Sequence, residues 1–217
     1  MKEVLEDTNE IDWIRGCAAI SLGRLSGDEV IPQLAHALVA NSAVLSRAVI
    51  EALRNIHSEQ AIALLKGILE DGSKRELHAM TINAIGEIGG RGVASVLIET
   101  LHSQDNPVRR RAALTLSGMA IQEAVVPFIE LIDDSDECLR AIAASALGLA
   151  RDKRALKPLV TALADRAETV RTIAASSLGY LGSSKAIEPL EKALGDKCEN
   201  VRKQAATALS KIGKEQA

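Results

Sequence analysis

Apolar residues recur along this chain at helical spacing, in two short runs per period. The clearest runs begin at Leu139 (LRAIAASALGLAR), Val170 (VRTIAASSLGYLG) and Val201 (VRKQAATALSKIG), 31 residues apart, and the same step back reaches Val108 and Leu77. One added residue near Gly72 carries the register to Leu45, and a last step reaches Ile14. Within each run, apolar or small residues hold offsets 0, 4, 8 and 11 from the anchor, as in Val170, Ala174, Leu178 and Leu181. That is one face of a helix with 3.6 residues per turn. A shorter helical pattern precedes each, such as KAIEPLEKAL from Lys185 to Leu194; we call the two the outer and inner helix. A helical pair at this fixed period predicts stacked hairpins rather than a globular domain. The expected fold is all-α, a right-handed α-solenoid of about seven stacked hairpins. It is read as one array over residues 1–217, with a partial first unit 1–25 and units 26–57, 58–89, 90–120, 121–151, 152–182 and 183–213.

Local punctuation agrees with those boundaries. Asn106 and Pro107 read as the N-cap and first-turn proline of the fourth inner helix, since proline fits where no amide partner is needed. Gly89, Gly182 and Gly213 follow the last apolar residue, where helices stop. Pro127, Pro158 and Pro189 share one repeat position inside the outer helix and are expected to bend it. Met1 to Leu5 resemble only the tail of an outer helix, and no polar capping unit stands at either end. A piece of a longer protein is therefore one reading of the chain.

Composition narrows the function classes. The 47% of apolar residues come almost wholly from Ala, Leu, Ile and Val, with one Phe, one Tyr and one Trp, and the formal charge is -3. There is no global pull toward nucleic acid or anionic membrane. No apolar run reaches the roughly 18 residues of a membrane span, and no signal peptide is recognised, so cytoplasmic localisation is expected. Cys17, Cys138 and Cys198 fall in the first, fifth and seventh units, too far apart for a disulfide within the monomer. With no CxxC or Cys/His cluster, no zinc site is expected. The four histidines are expected on solvated surface.

The pattern VRxxAAxALGxLG, followed by AIxPLxxAL and an Asp before the next Val-Arg, resembles the short HEAT-like repeat of the phycobilisome-lyase (PBS lyase) family. The resemblance runs from about Ile11 to Gly213 and implies an armadillo-like solenoid. It implies less about activity, because the unit occurs in bilin lyases, phycobilisome degradation factors, regulatory subunits and scaffolds. It also implies a ladder between layers, formed by Arg15, Arg109, Arg140, Arg171 and Arg202 with Asp134, Asp165 and Asp196. That pattern lapses where the arginine becomes Ser46 and His78 and the aspartate becomes Ser103 or Gly72. Deoxyhypusine hydroxylases resemble the same repeat but carry His-Glu iron ligands; here His36, His57, His78 and His102 are followed by Ala, Ser, Ala and Ser. No di-iron site is expected.

If offsets 0, 4, 8 and 11 are buried, offsets 2, 3, 6 and 10 form the opposite face and line a concave groove. In the fourth to sixth units this exposes Leu114, Ile142, Leu149, Ile173 and Tyr180, with Arg110 and Arg111 at one edge; Arg47 and Met80 extend it in earlier units. Continuous apolar patches of this kind tend to bind partners. Layers about 9 Å apart and helices about 20 Å long give roughly 1,200 Å², against about 800 Å² per side of a standard interface. Cys17, placed in a first turn after Arg15, is a weak candidate for a catalytic thiol, and Trp13 is read as a cap over the end of the stack. The leading expectation is a non-enzymatic scaffold that holds a protein partner without a cofactor. The alternative, implied by the family resemblance, is a bilin lyase-like or bilin-detaching factor, with Arg110 and Arg111 meeting the two carboxylates of a flat tetrapyrrole. Nucleic acid ranks last, because aromatic platforms are scarce and Glu51 and Glu87 interrupt the basic track.

Overall fold

The computed structural model describes residues 1–40, 42–119 and 121–215. They form two compact units, Met1–Ser103 and Gln104–Ala217. The N-terminal unit contains α1 (Lys2–Glu6), α2 (Asp12–Leu25), α3 (Ile31–Ala37), α4 (Ala43–Ile56), α5 (Glu59–Glu70), α6 (His78–Ile88) and α7 (Arg91–Thr100). The C-terminal unit contains α8 (Asn106–Gly118), α9 (Val125–Leu131), α10 (Glu137–Ala150), α11 (Leu156–Ala162), α12 (Glu168–Leu181), α13 (Ile187–Ala193) and α14 (Glu199–Glu215). Among the described residues there is no strand, and no helix is long and apolar enough to cross a membrane. The fold is all-α and of α-solenoid type. Inner helices α2 and α4 pack side by side in the first unit, as do α10, α12 and α14 in the second.

Burial explains the stacking. The anchors Leu45, Leu77, Leu139, Val170 and Val201 are sealed, as are Leu53, Ile85, Leu116, Leu147 and Leu178 at offset 8. Each such side chain contributes about 1.5–3 kcal/mol relative to exposure. A second stripe, at offsets 1 and 5, is also buried in most layers, so the covered arc is wider than the apolar pattern alone suggests. Ile14 and Leu25 depart from the expectation at 37% and 73% exposed.

The prolines correct one expectation. Pro127, Pro158 and Pro189 each stand third in their α-helix, after a short 3-10 turn at Gln122–Ala124, Lys153–Ala155 or Ser184–Ala186. In a first turn the missing amide would have no intrahelical acceptor, so proline marks the helix start and bends nothing. Gly182 ends α12 in the left-handed region at φ 68° and Gly89 ends α6 at φ 69°. Gly213 stops nothing, since α14 runs on to Glu215. α8 begins at Asn106, one residue earlier than expected, with Pro107 still in its first turn.

The Arg–Asp ladder is present in the C-terminal unit. Arg109, Arg140 and Arg171 each donate two hydrogen bonds, of 2.7–3.1 Å, to an aspartate 25 residues on: Asp134, Asp165 and Asp196. Nη1 of Arg140 also donates to the carbonyls of Asp134 and Ser135, so one guanidinium ties its own turn to the next layer. Arg171 does the same at Asp165 and Arg166, and Arg202 at Asp196 and Lys197. In the N-terminal unit His78 takes the arginine's place. Rather than standing on solvated surface as expected, it is 7% exposed, with Nε2 at 3.4 Å from the Asp71 carbonyl oxygen. His36, His57 and His102 are exposed.

Burial pushes the Asp165 carboxyl up, but hydrogen bonds from Arg140 and the Ala167 amide hold it below the usual range; the Arg171 bond does the same for Asp196 against burial. A depressed folded-state value stabilises the fold above the unfolded value and loses that stabilisation as pH falls through the folded one. Asp165→Asn is therefore expected to destabilise most at pH 7, with the difference from wild type shrinking once pH drops below about 4. Urea unfolding of both proteins between pH 7 and 3 checks this; a difference that grows toward pH 3 contradicts it.

Candidate functional site

In the N-terminal unit, α2, α4 and α6 line an open hollow of about 390 Å³ whose walls include Trp13, Cys17, Ile20, Val44, Arg47 and Met80. These side chains come from the register positions that the inner-helix packing leaves over. Trp13 is 67% and Val44 53% exposed, so Trp13 is no buried cap over the stack; it forms one wall. Cys17 is exposed but sits sixth in α2, past the first turn, and the Arg15 side chain turns away to the Leu5 carbonyl and Asp12. Both features expected to favour a thiolate are therefore missing. Arg47 is exposed and makes no ion pair among the described residues, whereas Glu51 is bound by Arg54, which also donates to Glu87 at 2.9 Å. Of the charged residues lining the hollow, Arg47 is the one without an ion pair among the described residues.

In the C-terminal unit, four of the five expected apolar positions fall into two rows across neighbouring helices, and Leu114 stands outside both at offset 6 of α8. Arg111, Ile142 and Ile173 share offset 3 on α8, α10 and α12, and Leu149, Tyr180 and Lys211 share offset 10 on α10, α12 and α14. Leu114, Leu149 and Tyr180 are 52%, 57% and 44% exposed; Ile142 and Ile173 are half-buried. The Lys211 ammonium lies 3.5 Å from the Tyr180 ring centroid, a cation–π contact. Sequence reasoning had not paired the two residues, although their equal offset in consecutive layers would have revealed it.

Arg110 requires a correction. It does not stand free at the edge of the groove: its Nε donates to Asp136 Oδ2 at 2.8 Å. Asp136 is buried and caps α10 by accepting from the amides of Cys138 and Leu139 at 2.8 and 3.4 Å. Burial raises the Asp136 carboxyl, yet the Arg110 and amide hydrogen bonds hold it below the usual range. Arg110 thus anchors a helix start, and Arg111, exposed and without an ion pair among the described residues, is the remaining cation of the pair.

The three cysteines are free, Cys17 and Cys138 exposed and Cys198 half-buried. Among the described residues no three His, Cys, Asp or Glu side chains gather as metal ligands. What the two faces offer is apolar contact area with a cation beside it.

The repeat geometry is shared with known proteins. No curated protein matches the chain. Among solved structures, YibA of Escherichia coli is 22% identical over 97% of this chain and 79% of that one, with a TM-score of 0.64. A computationally designed armadillo repeat protein for modular peptide recognition is also 22% identical, over 83% of this chain and 99% of that one, with a TM-score of 0.57. The complex of CpcE and CpcF of phycocyanin lyase from Nostoc gives 19% identity over 100% of this chain and 86% of that one, at a TM-score of 0.48. Likenesses at these identities speak to the fold. The family described as HEAT repeats matches in overlapping segments at residues 1–86, 37–117, 72–148, 94–178, 125–197 and 156–217. With every layer covered, the chain belongs to the HEAT repeat family.

Proposed function

We propose that this chain is a non-enzymatic scaffold that holds a protein partner against the inner-helix face, chiefly through Leu114, Leu149 and Tyr180 of the C-terminal unit. The observation that carries this reading is the exposure of those three large side chains, at 52%, 57% and 44%, beside stripes sealed almost completely. Large apolar side chains left open on neighbouring helices favour an interaction surface. Arg111 adds a cation at the margin and selects partners with an acidic residue there. The designed armadillo proteins, named for peptide recognition, use a fold of the same kind, which is compatible with this reading. A phycobilisome-lyase role is the less favoured alternative. It relied on Arg110 and Arg111 clamping two carboxylates, and Arg110 is engaged with Asp136.

Leu149→Glu combined with Arg111→Glu is expected to reduce capture of the native partner at least tenfold, while Val126→Glu, on the exposed side of α9, leaves it unchanged. Quantitative mass spectrometry of captured proteins, with circular dichroism to verify the fold, provides the readout. Equal capture by all three proteins would overturn the assignment.

A further inference from the structure

Resting on the scaffold reading, we infer that the hollow of the N-terminal unit receives the apolar side chain of an acidic peptide segment, with a peptide carboxylate paired to Arg47. Its volume, about 390 Å³, lies in the range of sites that seat one ligand group. Trp13 and Val44 leave much of their apolar surface in water, and tryptophan at a concave wall is the residue type most often found to dominate binding energy. Ile20 and Met80 are half-buried within the same hollow, so a seated side chain meets apolar atoms from three helices.

Charge selects the partner. Two residues lining the hollow are ionised, Arg47 and Glu51. Glu51 is already paired with Arg54, which also pairs with Glu87. Arg47 has no such partner among the described residues and reaches solvent. A ligand that brings a carboxylate next to its apolar group satisfies both features, whereas a lysine-flanked ligand meets like charge. One cation over an apolar hollow is a poor match for a polyanion, whose binding grows with each phosphate neutralised. An acidic peptide is the occupant that uses every feature of the site.

Trp13 is the single tryptophan of the chain, so its emission reports on the hollow directly, and the exposed Cys17 thiol, one turn further along α2, provides a second reporter. The probes are an acetylated, amidated hexapeptide with a central leucine-phenylalanine pair flanked by glutamates, and its counterpart flanked by lysines. With the full chain, the acidic peptide is expected to shift Trp13 emission to the blue, to saturate, and to slow alkylation of Cys17 but not of Cys138. It is expected to bind at least tenfold more tightly than the lysine peptide, and Arg47→Glu is expected to invert that order.

Equal affinity for the two peptides, an order unchanged by Arg47→Glu, or protection of Cys138 in place of Cys17 would overturn the inference. So would a Trp13 shift that appears with protein concentration alone and accompanies a dimer mass in light scattering, because the occupant would then be a second copy. The two proposals fail separately: peptides ignored at this hollow while Leu149→Glu with Arg111→Glu still reduces capture defeats only this one, and the reverse pattern defeats only the assignment of the C-terminal face.

Discussion

Arg140→Ala is expected to cost about 3–5 kcal/mol, the range for removing one partner of a buried ion pair. Arg140 is 4% exposed and makes four hydrogen bonds, two to Asp165 and two to the carbonyls of Asp134 and Ser135. Its loss leaves a largely buried carboxylate without a counter-ion and two turn carbonyls without a donor. The cost comes from those stranded groups more than from the attraction removed, since desolvating a charge consumes most of what the pair returns. Arg140→Met with Asp165→Asn removes both charges and keeps an acceptor for the Ala167 amide, so it is expected to recover much of the loss. Urea unfolding of the two variants at pH 7 makes the comparison, and a double variant as unstable as Arg140→Ala would show that stranded charge is not the cause.

The second large effect comes from glycine. A Cβ built on Gly23 would lie 2.5 Å from the Ala52 carbonyl oxygen and 2.7 Å from its Cα. The obstruction is backbone, which cannot rotate aside as a side chain can. Gly148 meets Ser177 at 2.5 Å and Gly179 meets Ala208 at 2.9 Å, both from the same offset, 9, of their inner helices. These glycines set how closely neighbouring inner helices approach. Gly23→Ala is expected to destabilise by about 1–3 kcal/mol through overpacking. Gly67→Ala, inside α5 with nothing within 4 Å, is expected to stabilise by about 0.5–1 kcal/mol because alanine favours the helix. Thermal unfolding of both variants provides the check; a stabilised Gly23→Ala would mean that the helices can part without loss.

What was legible in the sequence was whatever repeats. The hairpins and the pairing of Arg109, Arg140 and Arg171 with their aspartates follow from residue types recurring at one offset, because each layer presents the same environment to the next. Periodicity alone cannot separate a proline inside a helix from one just after a 3-10 turn, which is why Pro127, Pro158 and Pro189 read as bends rather than starts. His78 read as solvated because it was compared with the other histidines, whereas its place in the register is that of the buried arginine. Arg110 shows the limit at the candidate site. Its offset predicts an unpaired cation, but a long side chain can lean 26 residues along the chain to Asp136, and spacing carries no information about that reach. The hollow at Trp13 was legible only in part: Arg47 and Met80 fall among the four offsets of the open face, but Trp13 and Val44 lie one residue before the anchor, outside them.

The claim on which the functional account rests is that the inner-helix face meets the partner. Placing a photo-crosslinking side chain at Leu149, and in a second protein at the comparably exposed Val126, tests it most directly when each is irradiated with the native partner bound. The account predicts an adduct from position 149 and none from position 126; an adduct from 126 alone, or equal yields from both, would contradict it.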